Sequence, residues 1–215
     1  MLRSLRAGCS RRAALAWLAW LAGCSALPAW GQALDLPTLM RRMAARKSGR
    51  ARFTEERFVG GLDGPLRASG TLSFAAPDRF ERHTLQPVKE SMELKGRTLV
   101  LRRGGRTRQM ELDTLPELGG LLDALRGTLT GDAELLQRNF RCTLSGSDAK
   151  WVLRLVPLDS QLQRHLTEIE VVGQAADVRS IALQLQGGDR SLMLIEPIAE
   201  PPVAASAPGT AASAR

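Results

Sequence analysis

The chain has 215 residues, of which 44% are hydrophobic and 24% charged, and its formal net charge is +8. This balance is typical of a globular protein and excludes wholesale disorder, a collagen-like repeat and a protein with several membrane-spanning helices. A positive charge of this size ordinarily suggests nucleic acid or an anionic membrane as a partner, so the position of the basic residues decides whether that suggestion holds.

The first 33 residues have the pattern of a bacterial export signal. Four arginines and no acidic residue lie within residues 1–12, and the apolar stretch 13–22 follows directly. Ten apolar residues are too few to span a bilayer, which needs about 20. The sequence therefore predicts an exported bacterial domain, with residues 1–33 as a removable signal.

Two ways of processing this signal are compatible with the sequence. Gly31-Gln32-Ala33 fits an ordinary signal-peptidase site, and cleavage near Ala33 would release a soluble chain. The segment 21–24 also resembles a lipobox, in which Cys24 would be lipidated and would anchor the protein to a membrane. Either cleavage removes the four arginines and lowers the net charge to +4, so nucleic acid is no longer expected as a partner. Loss of the whole segment 1–33 leaves Cys142 as a lone cysteine, without a partner for an internal disulfide.

The next segment predicts a short amphipathic helix. Asp35 can cap it, Pro37 suits its first turn, and apolar residues recur on one face. The basic run 41–52 covers its other face and its exit, and we expect that run to be a solvated surface, with docking to an acidic partner or a membrane as the alternative.

Beyond this helix, period-two alternation cut by turn signals predicts antiparallel strands joined as a meander. A leucine-rich helical segment with the stripe 115–129 interrupts them, although Gly119 and Gly120 each cost about 1 kcal/mol of helix propensity. A second helical piece covers 132–138. The predicted strands, eleven in all, cover residues 51–54, 66–74, 79–85, 90–94, 97–102, 106–112, 140–144, 150–156, 167–172, 178–185 and 190–195.

These elements predict one mainly β domain with helices over residues 34–199. Residues 200–215 are rich in Ala, Ser and Pro and are expected to be a disordered tail. No further segment is long and apolar enough to span a membrane.

The sequence offers little for catalysis or metal binding. It contains no Walker loop and no GxGxxG, HExxH, CxxC or GxSxG motif, and His83 and His165 are the only histidines. Glu55 and Glu56 are adjacent on a strand and so point to opposite faces, where they cannot act as an acid/base pair. We therefore expect no enzyme activity, no metal and no cofactor.

The order of segments resembles the LolA-type periplasmic lipoprotein carriers, in particular their divergent LolA-related branch. After the amphipathic helix, the resemblance rests on ARFTEE at 51–56, GTLSFAAPDRFERH at 70–83 and KGRTL at 95–99. It continues through the leucine-rich helix to WVLRLVP at 151–157. It extends from about residue 34 to residue 195.

This resemblance implies an incomplete antiparallel β-barrel of about eleven strands, whose hydrophobic cavity is covered by a helical lid. Such a protein would carry acylated cargo, a lipoprotein or a glycolipid-like molecule, from an inner-membrane donor complex to an outer-membrane acceptor. It would do so as a monomer, without ATP or metal. The cavity would be lined by Phe53, Leu72, Phe74, Phe80, Met92, Leu94, Leu99, Leu101, Leu153 and Leu155, and the lid would present Leu115, Leu118, Leu122, Leu125 and Leu129.

Three features depart from the family pattern. Ala76 stands where well-studied carriers have an arginine that hydrogen-bonds the lid shut, and Arg82 replaces an aromatic residue. The last family segment is replaced by the low-complexity tail. A membrane-anchored receptor like LolB, held through Cys24, and an envelope interaction or sensor module with the same fold are the alternatives to a carrier.

Overall fold

The computed structural model describes residues 34–112 and 116–198, without the side chains of residues 116–118. The predicted signal with its candidate lipidation site Cys24, the predicted tail and the lid residue Leu115 lie outside these residues, and so does the side chain of Leu118. The described residues form eleven strands and four helices. The helices are α1 (Leu36–Ala45), α2 (Pro116–Thr130), α3 (Ala133–Asn139) and α4 (Ser160–Gln163), and the strands are β1 (Ser48–Phe58), β2 (Leu66–Ala75), β3 (Arg79–Gln86), β4 (Glu90–Lys95), β5 (Thr98–Arg103), β6 (Arg106–Glu111), β7 (Phe140–Ser147), β8 (Lys150–Pro157), β9 (Leu166–Gln174), β10 (Asp177–Leu185) and β11 (Arg190–Ile198).

All eleven strands belong to one antiparallel sheet in the order β6-β5-β4-β3-β2-β1-β11-β10-β9-β8-β7. The sheet is open, because β6 and β7 are its two edges and do not pair with each other. This arrangement confirms the predicted fold class, a mainly β protein with an incomplete barrel of eleven strands and helices.

The expectation of a single meander is wrong at one point. Strands β1–β6 form one meander and β7–β11 a second, and the two join where β1 pairs with β11. The chain leaves the sheet after β6, passes through α2 and α3, and re-enters it at the opposite edge. Short turns specify neighbours within each meander, but nothing in local sequence specifies a pairing between two strands about 140 residues apart.

Helix α1 forms as its sequence predicts. The Asp35 side chain accepts a hydrogen bond from the Thr38 amide at 2.8 Å, and Pro37 lies in the first turn. The apolar face of α1 is buried through Leu39, Met40 and Met43. Through these residues α1 packs into the core cluster on strands β7–β10 of the sheet.

Part of the basic run 41–52 is neutralised within the chain. Arg42 forms an ion pair with Asp148 in the β7–β8 turn, and Arg46 lies 2.5 Å from Asp177 at the start of β10. These two arginines hold the exit of α1 against strand ends of the second meander.

The apolar core is divided between two clusters on the same face of the sheet. The larger one, here the packed half, is built on β7–β10 with α1, α3 and α4. The smaller one, here the open half, is built on β3–β5 with α2. The packed half buries Leu34, Leu39, Met40, Met43, Ala124, Leu136, Phe140, Trp151, Leu153, Leu155, Leu162, Leu166, Ile169, Val171 and Val178, whereas the open half buries Phe80, Leu94, Leu99, Leu112 and Leu122.

Candidate functional site: an apolar cavity beside a charged cleft

The candidate site lies between the sheet and helix α2. Strand registers place Ala51, Leu72 and Arg82 side by side on one face, and Met92 follows on β4. Because side chains alternate along a strand, Phe53 and Glu55 point to this same face, which we call the inner face. Helix α2 covers it, and the strands bring a continuous row of side chains beneath the helix.

Sheet and helix enclose a cavity of about 390 Å³. This volume falls in the range of about 300–1,000 Å³ that is usual for ligand pockets, and it far exceeds the roughly 150 Å³ of an apolar cavity that stays dry and accepts benzene. Most of the wall is aliphatic or aromatic. Its apolar side chains are Ala51, Leu72, Phe74, Phe80, Met92, Leu121, Leu122, Ala124, Leu125, Leu129, Leu155, Ile169, Val171, Val178, Ile181, Leu183, Met193, Ile195 and Pro197.

The ten predicted cavity residues divide into two groups of equal size. Leu72, Phe74, Phe80, Met92 and Leu155 line the cavity. Leu94, Leu99 and Leu153 are instead fully packed in the two core clusters, Leu101 packs against the smaller cluster, and Phe53 is buried beneath a charged side chain. All ten alternate in the same way along their strands, so the sequence pattern could not separate the wall of the cavity from the core.

Helix α2 supplies the opposite wall. Of the predicted lid residues, Leu122, Leu125 and Leu129 line the cavity. The helix also contacts both core clusters, Ala124 in the packed half and Leu122 in the open half. Helix α2 thus lies over the cavity and packs against both halves of the sheet.

Glycines let α2 approach its neighbouring helices closely. A Cβ atom at Gly120 would lie 2.5 Å from Leu162 Cδ2 of α4, and one at Gly127 would lie 2.7 Å from Leu136 Cγ of α3. The sequence interpretation of Gly120 as a weakness of the helix misses this role, because propensity describes an isolated helix and not its contacts.

One part of the inner face is charged. Arg82 Nη2 donates to Glu55 Oε2 at 2.6 Å, and Ser191 Oγ donates to Glu55 Oε1 at 2.7 Å. The Arg82 guanidinium lies over the Phe53 ring, with Cζ 4.5 Å from the ring centroid. The side chains of Arg82 and Glu55 are only 26% and 14% exposed. Sequence reasoning placed no charge in the cavity, although Arg82 has the same strand parity as Phe80 and so was assignable to the inner face.

Gly70 makes room for this arrangement. It pairs with Phe53 on one side and with Thr84 on the other, next to an irregularity in the β2–β3 register. A Cβ atom at Gly70 would lie 1.9 Å from the backbone oxygen of His83 and 3.0 Å from the Phe53 ring. Only glycine therefore fits where β2 and β3 pass beside the Phe53 ring.

A second cleft of about 410 Å³ adjoins the cavity. It shares Glu55, Arg57, Arg82 and Met92 with the cavity, so the two spaces meet at the charged cluster. Its remaining lining residues are Leu66, Arg67, Ala68, Thr84, Pro87 and Glu90. We call this space the polar cleft.

A different arginine reaches the cavity from the α1 side. Arg46 lines it, with its Cζ 5.9 Å from the centroid of the Phe74 ring and its guanidinium paired to Asp177. Ala76, at the position of the family's latch arginine, donates its backbone N–H to Lys47 O at 2.7 Å. The methyl side chain of Ala76 cannot form the hydrogen bond by which the arginine of the well-studied carriers holds the lid shut.

Two ionisable groups near the sheet have shifted pKa values. Burial raises the pKa of the Cys142 thiol above its ordinary value. Burial also opposes ionisation of Glu81, but hydrogen bonds from His83, Arg79 and Ser73 and the charge of Arg79 together lower its pKa. His83 is half exposed beside Glu81 on the face opposite Arg82, so it does not reach the cavity.

Within the described residues, no three His, Cys, Asp or Glu side chains are grouped closely enough to hold a metal ion. No described helix has the length and apolar character needed to cross a bilayer.

Comparison with known proteins gives one family match. Residues 28–214 match the model of the family described as "Outer membrane lipoprotein carrier protein LolA-like". No curated protein matches the chain significantly.

Several solved structures are similar at low identity. A LolA superfamily protein from Nitrosomonas europaea is 9% identical, with 78% of this chain and 96% of that chain covered and a TM-score of 0.42. A DUF1329 family protein from Desulfovibrio piger is also 9% identical, with 75% and 89% covered and a TM-score of 0.41. A putative outer membrane lipoprotein-sorting protein domain from Vibrio parahaemolyticus is 12% identical, with 76% and 89% covered and a TM-score of 0.39.

The family match covers most of the chain. The chain belongs to the LolA-like family of outer membrane lipoprotein carrier proteins.

Proposed function

We propose that this protein is a periplasmic carrier that holds the acyl chains of a lipoprotein, or of a related lipid, in the cavity beneath α2 and moves them toward the outer membrane. The observation that carries the proposal is the cavity itself, about 390 Å³ of space with mostly aliphatic walls on both the sheet and the helix side. Membership of the LolA-like family supports the same function.

The energetics favour a flexible apolar ligand. Each methylene moved from water into such a space contributes about 0.8 kcal/mol, so ten methylenes contribute roughly 8 kcal/mol before the costs of ordering. Leucine and methionine walls adapt their shape more readily than aromatic ones. The carrier would exchange cargo between an inner-membrane donor and an outer-membrane acceptor by affinity alone, without catalysis.

The direct test is the mass of what the protein carries. The protein would be purified from the envelope of its own host and its native mass recorded, and we expect an adduct that dissociates into a lipid or acylated peptide. Displacement of a fluorescent fatty acid by dodecanoate would measure the same site in vitro. If no lipid accompanies the protein and the fluorescent probe does not bind, an envelope interaction or sensor module becomes the better description.

A matched pair of substitutions ties binding to the cavity. Leu125→Glu places a charge on the α2 wall, and Leu194→Glu places one on β11, where the leucine is 52% exposed. Because a charge in an apolar cavity is strongly unfavourable, we expect L125E to weaken probe binding more than tenfold and L194E to leave it within twofold of wild type. Equal effects of the two substitutions would contradict a binding site beneath α2.

The second candidate is a membrane-anchored receptor with the same cavity. The lipobox-like segment ending at Cys24 favours it. The intact mass of the processed protein separates the two candidates, because a chain that starts at Leu34 is a soluble carrier and a chain that starts at a lipidated Cys24 is anchored. Replacing Cys24 with Ser would release an anchored protein from the membrane fraction and would leave a soluble one unchanged.

A further inference from the structure

We propose that Arg57 and Arg82 form a subsite for the anionic headgroup of the cargo, a carboxylate or a phosphate monoester at the end of the acyl chain. This inference rests on the proposed function, because it needs an acyl chain in the cavity. It adds the chemical class of the head that such a chain carries.

The position of the two arginines is the first support. Both line the apolar cavity and the polar cleft, so they lie where the two spaces meet. An amphiphile with its tail in the cavity would have its head at this boundary. The other charged residues of the polar cleft, apart from Glu55, do not line the cavity.

The charge balance of the polar cleft is the second support. Glu55 is paired with Arg82, Glu90 lies 3.6 Å from Arg103, and Arg67 is paired with Glu56. Among the described residues, no carboxylate lies within 4.0 Å of the Arg57 guanidinium. The cleft therefore has one cation in excess, and an anionic group is its natural complement.

The way in which Arg82 is held is the third support. The Phe53 ring lies under its guanidinium, Glu55 accepts from Nη2, and Thr84 Oγ1 lies 3.4 Å from Nε. Glu55 is itself fixed by Ser191, which is 5% exposed. These contacts leave Nη1 without a hydrogen-bond partner among the described residues, while the plane of the guanidinium is fixed. A preorganised donor of this kind loses little freedom when it binds an oxyanion.

The energetic cost of the cluster is the fourth support. A partly buried ion pair is often no more stable than apolar side chains of the same volume, because both charges lose hydration. For an entirely apolar ligand, leucine in place of both Glu55 and Arg82 would make the cavity wall more favourable, because no charge would lose its hydration. Charges that point into a lipid cavity are useful when the ligand itself is polar at that point.

The test compares ligands that share a chain and differ in the head. Dissociation constants of dodecanoate, dodecyl phosphate and dodecanol would be measured at pH 7.5 by displacement of a fluorescent fatty acid. We expect wild-type protein to prefer an anionic ligand to dodecanol by roughly tenfold to a hundredfold, as a hydrogen bond to a charged group contributes in proteins. A preference for the carboxylate or for the phosphate tells which of the two heads the subsite fits.

Arg57→Gln is the main variant, because Arg57 is exposed and forms no ion pair with another described residue, so its removal leaves no buried charge unpaired. We expect R57Q to lower the ratio of the dodecanol to the dodecanoate dissociation constant by about tenfold. The double variant Glu55→Gln/Arg82→Gln removes the buried pair together and should lower the ratio in the same direction. Arg154→Gln is the matched control, since Arg154 pairs with Glu170 on the other face of the sheet and should keep the wild-type ratio.

The outcomes separate this inference from the proposed function. If dodecanol and dodecanoate bind equally tightly and R57Q leaves their ratio unchanged, the headgroup subsite is wrong and the acyl carrier stands. If none of the three ligands binds, the proposed function is wrong, and the subsite with it. If R154Q changes the ratio as much as R57Q does, the preference reflects overall charge and the subsite is again wrong.

Discussion

The packed half and the open half of the sheet have similar strands and opposite surroundings. In the packed half, Trp151 and Leu153 on β8 are fully buried and do not line the cavity. At the open half, Leu72 on β2 and Met92 on β4 are only half-buried, Arg82 lies between them in the register, and both line the cavity beneath α2. One sheet thus combines fully packed side chains with a cavity wall to which both halves contribute, since Leu155 and Ile169 of the packed half also line the cavity.

The largest expected effect tests whether the packed half is the foundation. Leu153→Ala removes three carbon atoms from a side chain with no exposed surface, and it should cost about 2–5 kcal/mol of unfolding free energy, because the cavity it leaves cannot collapse. Urea denaturation followed by circular dichroism measures this cost. Since Leu153 does not line the cavity, the affinity of the folded variant for a fluorescent fatty acid should stay within twofold of wild type.

The converse substitution lies in the open half. Met92→Ala should cost about 1 kcal/mol or less of stability, because Met92 is only half-buried and lines the cavity, where fewer side chains pack against it than in the core. It should weaken binding of a fluorescent fatty acid about tenfold, since roughly two methylene equivalents of apolar contact are lost. A Met92→Ala variant as unstable as Leu153→Ala, with unchanged affinity, would show that Met92 belongs to the core and not to a binding site.

Helix α2 spans both halves, and its glycines allow a finer test. Gly127→Ala places a Cβ atom 2.7 Å from Leu136 of the packed half, and we expect a net loss of about 1–2 kcal/mol in spite of better helix propensity. Gly119→Ala is the control, because among the described residues its Cβ atom would meet Leu112 O alone, at 3.4 Å, and it should gain up to about 1 kcal/mol. Thermal unfolding of both variants measures the contrast, and stabilisation by G127A would contradict a tight α2–α3 contact.

The smallest effect concerns reactivity at the edge of the packed half. Burial raises the pKa of the Cys142 thiol above its ordinary value, so the reactive thiolate is scarcer at neutral pH and the thiol should react with iodoacetamide more slowly than in the unfolded chain. With Cys9 and Cys24 replaced by Ser, the reaction rate should rise with pH and reach half its maximum at a higher pH in the folded protein than in the unfolded chain. A rate already at its maximum at pH 8 would mean that Cys142 is more accessible than the structure shows.

The strands were predictable because their signals are local. Alternation and short glycine turns located eleven strands, and the Asp35 cap with Pro37 located α1. The join between the meanders was not predictable, because β1 and β11 are far apart in sequence and their pairing depends on the whole inner face. The leucine stripe predicted α2, but only its neighbours Leu136 and Leu162 explain its glycines.

The candidate site was half predictable, for a related reason. Alternation placed Leu72 and Phe80 on the inner face, but it placed Leu94 and Leu153 there equally, and only the position of the helices decides which of them face empty space. The charged cluster was missed, although Arg82 and Glu55 both break an apolar alternation. In a cavity protein, such a polar residue with inner-face parity is the signal to look for.

The pairing of β1 with β11 has a consequence for how the molecule is made. The middle of the sheet consists of the first and the last strand in chain order, so each meander can form early, but the inner face becomes continuous only when β11 is available. Closing so long a loop is slow compared with forming hairpins, and we expect it to limit the folding rate. Until β11 pairs with it, the edge of β1 is exposed and can pair with a strand of another chain. We therefore expect a chaperone to protect the protein mainly before that pairing forms.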